Sequence, residues 1–366
     1  MKNTIFEVFT LVFCIVHAVS AQTEIKRFPH PVFTIRRGTN ISHWLSQSNR
    51  RGDERLKWFT KTDAAYLAGL GFDHLRIPVD EEQLWNENGT VEPEAFGLLN
   101  AALDWCSEYK LKAVVDLHIL RSHHFNAKEK PLWTDPKAQD RFVECWRDLS
   151  SRLHERPVSA VAYELMNEAV ADDPEQWNRL IAKVMAVLRK LEPDRVVVIG
   201  SNRWQSVHTF DALRIPENDR NIILSFHFYI PMVLTHYKAS WTGVGRYTGP
   251  VRYPGRVVDD KDLTGLPGDL VGEINPDDRD WHREKLESLL KEPLRVAEKT
   301  GLPIYCGEWG CLPTVPKKDR LAWYKDMRTN LEKHGIAWAT WDYKGSFGIR
   351  DREGKSVEPL IEVLLK

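Results

Sequence analysis

The chain has 366 residues, a formal net charge of -1 at pH 7 and a hydrophobic content of 42%. This length and composition are sufficient for one large globular domain with a substantial apolar core. The near-neutral charge argues against nucleic acid or an anionic membrane as the main partner, because both bind basic surfaces.

The first 21 residues have the pattern of a secretory signal peptide. Lys2 supplies a positive charge, residues 9–19 are an apolar run, and residues 19–21 end in the small side chains that signal peptidase accepts. The run is too short to span a bilayer, and Cys14 within it leaves a lipidated signal as the alternative. We expect residues 1–21 to be removed and residues 22–366 to form one secreted monomer, either extracellular or periplasmic.

Eight short apolar runs alternate with helical patterns along the rest of the chain. The predicted strands are Phe33–Asn40, His74–Val79, Lys112–His118, Ala160–Glu168, Arg195–Trp204, Asn221–Tyr229, Pro303–Gly310 and Ala337–Gly345. The predicted helices are Glu92–Tyr109, Pro136–His154, Pro174–Leu191, Trp281–Lys299, Lys317–His334 and the closing helix Val357–Lys366. This alternation favours an α/β fold, a single-domain (β/α)8 TIM barrel, over the alternative of an open doubly wound sheet.

One connection is far longer than a usual strand-to-helix loop. It extends from Tyr229 to Pro303, and only Trp281–Lys299 within it has a helical pattern. We expect the remainder to be a long loop over the carboxyl-terminal face of the barrel. In this fold, the loops at that face carry the chemistry.

Polar side chains recur at the carboxyl ends of the predicted strands. A single polar residue there can be an ordinary hydrogen-bonded strand end, but burying an ionisable group is costly, and several at one face indicate a site. The residues concerned are Arg76, His118, Asn167, Glu168, His227, Tyr229, Glu308 and Trp341. The sequence has no CxxC pair or HExxH motif, so we expect neither a metal ion nor a cofactor.

Glu168 and Glu308 indicate the class of reaction. They lie at the carboxyl ends of the fourth and seventh predicted strands. These strands are nearly opposite each other in an eight-stranded barrel, so the two side chains can face each other. Two carboxyl groups about 5 Å apart on either side of a glycosidic bond are the arrangement of a retaining glycosidase. We expect Arg76 to keep Glu308 ionised, while burial and the charge of Glu308 raise the pKa of Glu168.

These motifs together resemble glycoside hydrolase family 5, a cellulase-like family of clan A. The resemblance covers essentially all of the mature chain in the family's order, and the combination is highly specific. Its segments are Arg37–Ile41, Leu75–Pro78, Asp116–His118, Glu164–Glu168, His227–Tyr229, Cys306–Gly310 and Thr340–Asp342.

The resemblance also implies a role for each polar residue. It implies Glu168 as the acid/base, Glu308 as the nucleophile, and Asn167 as the residue that hydrogen-bonds the sugar 2-hydroxyl. The supporting residues that it implies are Arg76 and Tyr229 holding the nucleophile, His118 lining the -1 subsite, His227 beside the acid/base, and Trp341 beneath the -1 sugar.

The expected substrate is a β-linked polysaccharide or oligosaccharide. The resemblance favours an endo-β-1,4-glucanase, with a β-mannanase or an exo-acting β-glucosidase as alternatives, because loops set the number of sugar subsites. A non-catalytic carbohydrate-binding barrel is a more distant alternative, because it would have lost Glu168 or Glu308. Candidate platforms for stacking on sugar rings are Trp44, Trp85, Trp133, Trp204 and Trp241.

The sequence leaves the roles of two residue pairs open. Cys106 and Cys145 fall on successive predicted helices, so they could form a disulfide or remain buried free thiols. The adjacent His123 and His124 could bind a metal ion, contact a sugar or be structural.

Overall fold

Eight parallel strands close into a barrel in the computed structural model, which describes residues 29–274, 280–351 and 354–366. We number the barrel strands in chain order as β1 Arg37–Asn40, β2 His74–Val79, β3 Lys112–Leu117, β4 Val161–Glu164, β5 Val197–Gly200, β6 Ile222–Phe228, β7 Ile304–Trp309 and β8 Ala337–Thr340. Each strand pairs with the next, and β8 closes on β1, with Trp338 opposite Arg37. The predicted (β/α)8 barrel is confirmed, whereas the predicted signal peptide, residues 1–21, lies outside the described residues.

Helices surround this barrel. The longer ones are Gly52–Trp58, Lys61–Leu70, Pro93–Glu108, Pro136–Leu153, Pro174–Leu191, Arg283–Ser288, Lys291–Thr300, Lys317–Lys333 and Glu358–Leu365. The prediction of one helix over Trp281–Lys299 was wrong, because one helix ends at Ser288 and a second begins at Lys291. Pro293 has no backbone N–H and therefore lies in the first turn of a new helix. No helix among the described residues has the length and apolar character needed to cross a bilayer.

Six of the eight predicted strands end later than the observed ones on the carboxyl-terminal face, whereas the first two end at Asn40 and Val79 as predicted. The fourth was predicted to reach Glu168 and the fifth to reach Trp204, but β4 ends at Glu164 and β5 at Gly200. Glu168 has a φ of 46° and Trp204 a φ of 60°, both in the left-handed region that a strand does not contain. The segments beyond the strands are therefore loops that direct side chains over the barrel mouth.

The long insertion after β6 contains short elements where a loop was predicted. They are the helices Met232–Thr235 and Gly268–Ile274, the 3-10 turns Val244–Arg246 and Asp260–Leu263, and an antiparallel pair, Gly255–Arg256 with Asp280–Trp281. The Tyr253 hydroxyl donates to Asp326 at 2.8 Å, in the middle of the helix Lys317–Lys333. The insertion therefore packs against the outer helices as well as the loops at the mouth.

Inside the barrel, an apolar layer lies beneath a polar one. The apolar layer comprises Phe33, Ile35, Val114, Ala162, Val196, Val198, Ile223, Tyr305 and Ala339. Because side chains alternate along a strand, moving two residues from Val114 reaches Asp116, and moving two from Ala162 reaches Glu164. The same strands that fill the barrel floor thus present charged groups near the carboxyl-terminal face.

The four cysteines in the described part of the chain, Cys106, Cys145, Cys306 and Cys311, are buried free thiols. The disulfide alternative for Cys106 and Cys145 is therefore wrong. Each thiol contributes apolar volume to the core, as buried free cysteines ordinarily do.

The contact of Trp146 with β4 provides a test of this packing. Its ring is fully buried, lies 5.5 Å from the Tyr163 ring, and donates a 2.9 Å hydrogen bond to the Leu165 carbonyl. We expect Trp146→Ala to lower the free energy of unfolding by roughly 3–5 kcal/mol, since it opens a cavity and leaves a buried carbonyl unpaired. Urea unfolding measures this, with Trp241→Ala, at an exposed position, as the control. Equal losses in the two variants would contradict the packing.

Candidate active site

A single buried guanidinium organises the polar layer of the barrel. Arg76 on β2 is fully buried, and its nitrogens lie 2.6 Å from Glu164, 2.7 Å from Glu308 and 3.0 Å from Asp116. One positive charge faces three carboxyl groups, so full ionisation of all three would leave excess buried negative charge. Burial raises the pKa of Asp116 to about 7 and that of Glu164 to about 6, although Arg76 acts in the opposite direction on both.

Arg76 also positions two asparagine side chains. Its Nη1 donates to Asn40 Oδ1 and its Nη2 to Asn167 Oδ1, each at 2.9 Å. The Asn40 amide donates in turn to the backbone carbonyls of Gly307 and Thr340. Asn167 Nδ2 is buried without a hydrogen-bond partner among the described residues. That nitrogen is therefore available to donate to a ligand.

Glu308, at the end of β7, is held through both carboxylate oxygens. Oε1 accepts from Arg76 at 2.7 Å, and Oε2 accepts from the Tyr229 hydroxyl at 3.0 Å. Burial raises the pKa of Glu308, while Arg76 and the Tyr229 hydrogen bond oppose that rise. Both contacts favour the ionised carboxylate.

Glu168 lies in a different environment, in the loop after β4. Its Oε1 is 3.0 Å from Nδ1 of His227, and burial lowers the pKa of that imidazole well below its usual range. Burial, followed by the charge of Glu308, raises the pKa of Glu168 well above its ordinary value. Among the described residues, no cation hydrogen-bonds Glu168 in the way that Arg76 bonds Glu308. Of the two carboxyl groups, Glu168 therefore has the pKa that is raised further.

The two carboxyl groups are close neighbours. One oxygen of Glu168, one oxygen of Glu308 and a ring nitrogen of His227 all lie within 4.8 Å of one another. This spacing is short enough for the three atoms to bind one metal ion. Such an ion would compete with the Arg76 guanidinium, which is already bound to Glu308. Catalysis without a metal ion or cofactor stays a prediction.

His118 and Trp341 form a wall beside the pair. Their rings are stacked with centroids 5.6 Å apart and an angle of 8° between planes. His118 Nδ1 lies 2.6 Å from Asp116, and Nε2 lies 2.8 Å from the side-chain nitrogen of Gln47. Burial lowers the pKa of His118 to about 3, so the imidazole is neutral at this wall. The peptide bond between Trp341 and Asp342 is cis.

Two of the five candidate stacking tryptophans lie at the surface. Trp204 is 43% exposed and Trp241 is 55% exposed. Trp44, Trp85 and Trp133 are buried in the core and are therefore excluded as platforms.

The adjacent histidines have separate environments. His123 is buried and its Nε2 accepts the backbone N–H of Val170 at 3.2 Å, which gives it a structural role. His124 is exposed beside Phe125, with ring centroids 4.7 Å apart.

All eight predicted site residues converge at one end of the barrel. Five further residues contribute to the site without having been predicted: Asn40, Gln47, Asp116, Glu164 and Gln205. Alternation along the strands could have identified Asp116 and Glu164, since each lies an even number of residues from an inward-facing position. Gln205 gives no such signal, because it lies in a left-handed turn that the sequence pattern did not predict.

Residues 37–346 match the family described as Cellulase (glycosyl hydrolase family 5). The chain belongs to glycosyl hydrolase family 5. It is therefore a glycoside hydrolase, and the resemblance seen in its sequence is confirmed. The alternative of a non-catalytic barrel is rejected.

Individual relatives support the same family. Endoglucanase C of Acetivibrio thermocellus is 31% identical over 339 residues, which cover 90% of this chain and 97% of that protein. Cellodextrinase A of Ruminococcus flavefaciens is 29% identical over 306 residues, covering 82% and 83%. The solved cellulose synthase subunit Z of Clostridioides difficile has the same fold, with a TM-score of 0.74, 22% identity and coverage of 91% and 100%.

Replacement of Arg76 tests the charge balance of this family 5 site. In Arg76→Met the three carboxyl groups lose their cation, so their folded-state pKa values rise further above the unfolded values. Raised acid pKa values make stability fall as pH rises. We expect the free energy of unfolding to drop by about 3–5 kcal/mol at pH 8 and by clearly less at pH 5. Urea unfolding at both pH values measures the difference.

The matched control for this experiment is Arg36→Met, which alters an exposed arginine. It should lose little stability at either pH. A loss in Arg76→Met that is the same at pH 5 and pH 8 would contradict the charge balance.

Proposed function

We propose that this glycoside hydrolase is a retaining endo-β-1,4-glucanase that acts by double displacement. The observation that carries the proposal is the close approach of Glu168 and Glu308, whose nearest oxygens fall within 4.8 Å. Retaining enzymes have carboxyl groups about 5–5.5 Å apart, whereas inverting enzymes need about 6.5–9.5 Å to admit a water.

The first step forms a covalent intermediate. The Glu308 carboxylate attacks the anomeric carbon as the glycosidic bond breaks, and Glu168 transfers its proton to the leaving oxygen. Arg76 and Tyr229, which hydrogen-bond Glu308, keep the nucleophile ionised. Asn167 Nδ2, which is buried without a partner among the described residues, would donate to the sugar 2-hydroxyl, a contact that strengthens in the transition state.

The second step reverses the roles of proton donor and acceptor. Once Glu308 is esterified it no longer carries the charge that raised the pKa of Glu168. Glu168, now deprotonated, accepts a proton from water as that water attacks the anomeric carbon and releases Glu308. His118 and Trp341 would line the -1 subsite throughout, and His227 would hold Glu168 in place.

The relatives and the exposed aromatics support an internal cut in a β-1,4-glucan. Endoglucanase C aligns over 90% of this chain. The backbone N–H of Trp204 donates to the carbonyl of Ala169, the residue after Glu168. The Trp241 ring lies 6.3 Å from that of His236. Exposed aromatic rings outside the buried polar layer could each stack on a sugar ring, which suits a substrate of several sugars. The name of cellodextrinase A makes short cello-oligosaccharides the second candidate.

We also propose that the enzyme is secreted and acts as a monomer. The support for secretion is the signal-peptide pattern of residues 1–21, with its short apolar run.

Product stereochemistry tests the double displacement. Two successive inversions at the anomeric carbon should give the β-anomer as the first product from cello-oligosaccharides. Proton NMR during early hydrolysis detects this before mutarotation mixes the anomers. An initial α-anomer would contradict retention.

The viscosity of a soluble cellulose derivative tests whether the enzyme cleaves internal bonds. We expect soluble carboxymethyl cellulose to lose viscosity well before reducing ends accumulate, because each internal cut shortens long chains. The release of reducing ends from mannan and xylan at the same enzyme concentration provides the comparison. Release of glucose alone with little loss of viscosity would instead indicate exo action.

Removal of the Tyr229 hydroxyl tests the ionisation of Glu308. The hydrogen bond lowers the pKa of Glu308, so Tyr229→Phe should raise that pKa. Since the nucleophile must be ionised, the acidic limb of the kcat/KM profile should move to higher pH by roughly half a unit to one unit. Tyr237→Phe, in the insertion, is the control, because its hydroxyl donates to the Gly249 carbonyl instead. An acidic limb that stays in place in Tyr229→Phe would show that this hydrogen bond does not set the ionisation.

A further inference from the structure

A left-handed turn after β5 delivers one amide side chain into the barrel. Arg203, Trp204 and Gln205 have φ values of 53°, 60° and 51°. L-residues rarely adopt this conformation, and three in succession require specific contacts to stabilise them. The turn leaves Trp204 exposed and buries Gln205 completely. The left-handed conformation of these three residues therefore turns the Gln205 side chain into the barrel interior.

The Gln205 amide is satisfied at both ends. Its Oε1 accepts the backbone N–H of Glu168 at 2.9 Å, and its Nε2 donates to Ser225 Oγ at 3.0 Å and Glu164 Oε1 at 3.2 Å. The opposite amide orientation would set an oxygen against the Glu164 carboxylate and two N–H groups against each other. Only the observed orientation matches donors with acceptors.

Two glycines leave space for this amide and its partner. A Cβ at Gly200, the last residue of β5, would lie 2.4 Å from the Gln205 side chain. A Cβ at Gly307 would lie 3.0 Å from Ser225 Oγ. Both positions belong to barrel strands, where a side chain would otherwise point inward. The barrel interior is thus shaped around Gln205.

Glu168 depends on the contact because it lies outside the strand ladder. It follows β4 in a left-handed conformation with a φ of 46°. Its buried N–H is bonded to Gln205, and an unpaired buried N–H is costly. Through Glu164, the same amide is tied to Arg76, which binds Glu308. Gln205 therefore links the backbone of one carboxyl residue to the cation that holds the other.

We propose that Gln205 is a positioning residue that holds Glu168 in the geometry needed to protonate the leaving group. The inference rests on the proposed acid/base role of Glu168. A positioning role predicts a loss that depends on how much protonation the leaving group needs. A purely structural role predicts an equal loss for every substrate.

Aryl β-cellobiosides of different leaving-group basicity test the inference. The variant is Gln205→Leu, which is similar in size but has neither donor nor acceptor. We expect its kcat/KM to fall about 10²-fold for phenyl β-cellobioside, whose leaving group needs a proton, and by less than about threefold for 2,4-dinitrophenyl β-cellobioside. An equal fall for both substrates would overturn the inference.

Two further variants keep the test decisive if Gln205→Leu does not fold. Gly200→Ala keeps the amide but displaces it, so it should show the same dependence on leaving group. Gln205→Glu keeps the acceptor for the Glu168 N–H, so it should recover phenyl β-cellobioside activity at acidic pH, where its carboxyl is protonated, and lose it as pH rises. A dependence on leaving group absent from both variants would also overturn the inference.

Two controls separate this inference from the proposed function. Asn218→Ala replaces an exposed residue with a φ of 61° and should match the wild type on both substrates. Glu168→Gln should lose phenyl β-cellobioside activity far more than dinitrophenyl activity. Equal losses in Glu168→Gln would overturn the acid/base assignment, whereas equal losses in the Gln205 variants alone would overturn only the positioning role.

Discussion

The site depends on one buried cation. Arg76 is removed from water, so its charge has to be met by groups that the barrel itself supplies. Carboxyl groups from β3, β4 and β7 do this, and two asparagines use its remaining donors. These residues come from β1, β3, β4, β7 and the loop after β4, so the site is complete only when the barrel is closed. The apolar layer below supplies stability, and the layer around Arg76 supplies the chemistry.

The same cation makes two chemically identical side chains unequal. Arg76 and the Tyr229 hydroxyl both hydrogen-bond Glu308, whereas Glu168 faces a neutral His227 and the charge of Glu308. Burial alone would raise both carboxyl pKa values together. The difference therefore comes from the partners, which leave the pKa of Glu168 raised further than that of Glu308. In the proposed double displacement, esterification of Glu308 would remove the main charge that raises the pKa of Glu168, which suits the proposed reversal of its role.

Sequence patterns predicted the strands well because each is an apolar run bounded by turns, and they predicted the site because polar residues end those runs. They failed where backbone conformation is determined by tertiary contacts. Residues 196–199 are an apolar run, and the predicted strand was extended past Gly200 into a turn. In that turn Gln205 hydrogen-bonds Glu168 and Glu164, which are distant in sequence. Pro293 marked a helix boundary that the periodicity concealed. The insertion after β6 has little pattern because its short elements are stabilised by distant contacts such as Tyr253 with Asp326.

The most direct test of this account is a carbon-13 NMR titration of the Glu168 and Glu308 carboxyl groups. It should be made in the wild type and in Glu308→Gln, which removes the charge but keeps the side-chain shape. The account predicts that Glu308 loses its proton at lower pH than Glu168 in the wild type. It also predicts that the pKa of Glu168 falls in Glu308→Gln, because the neighbouring charge is gone. A Glu168 pKa unchanged in that variant, or a Glu308 that titrates above Glu168, would contradict it.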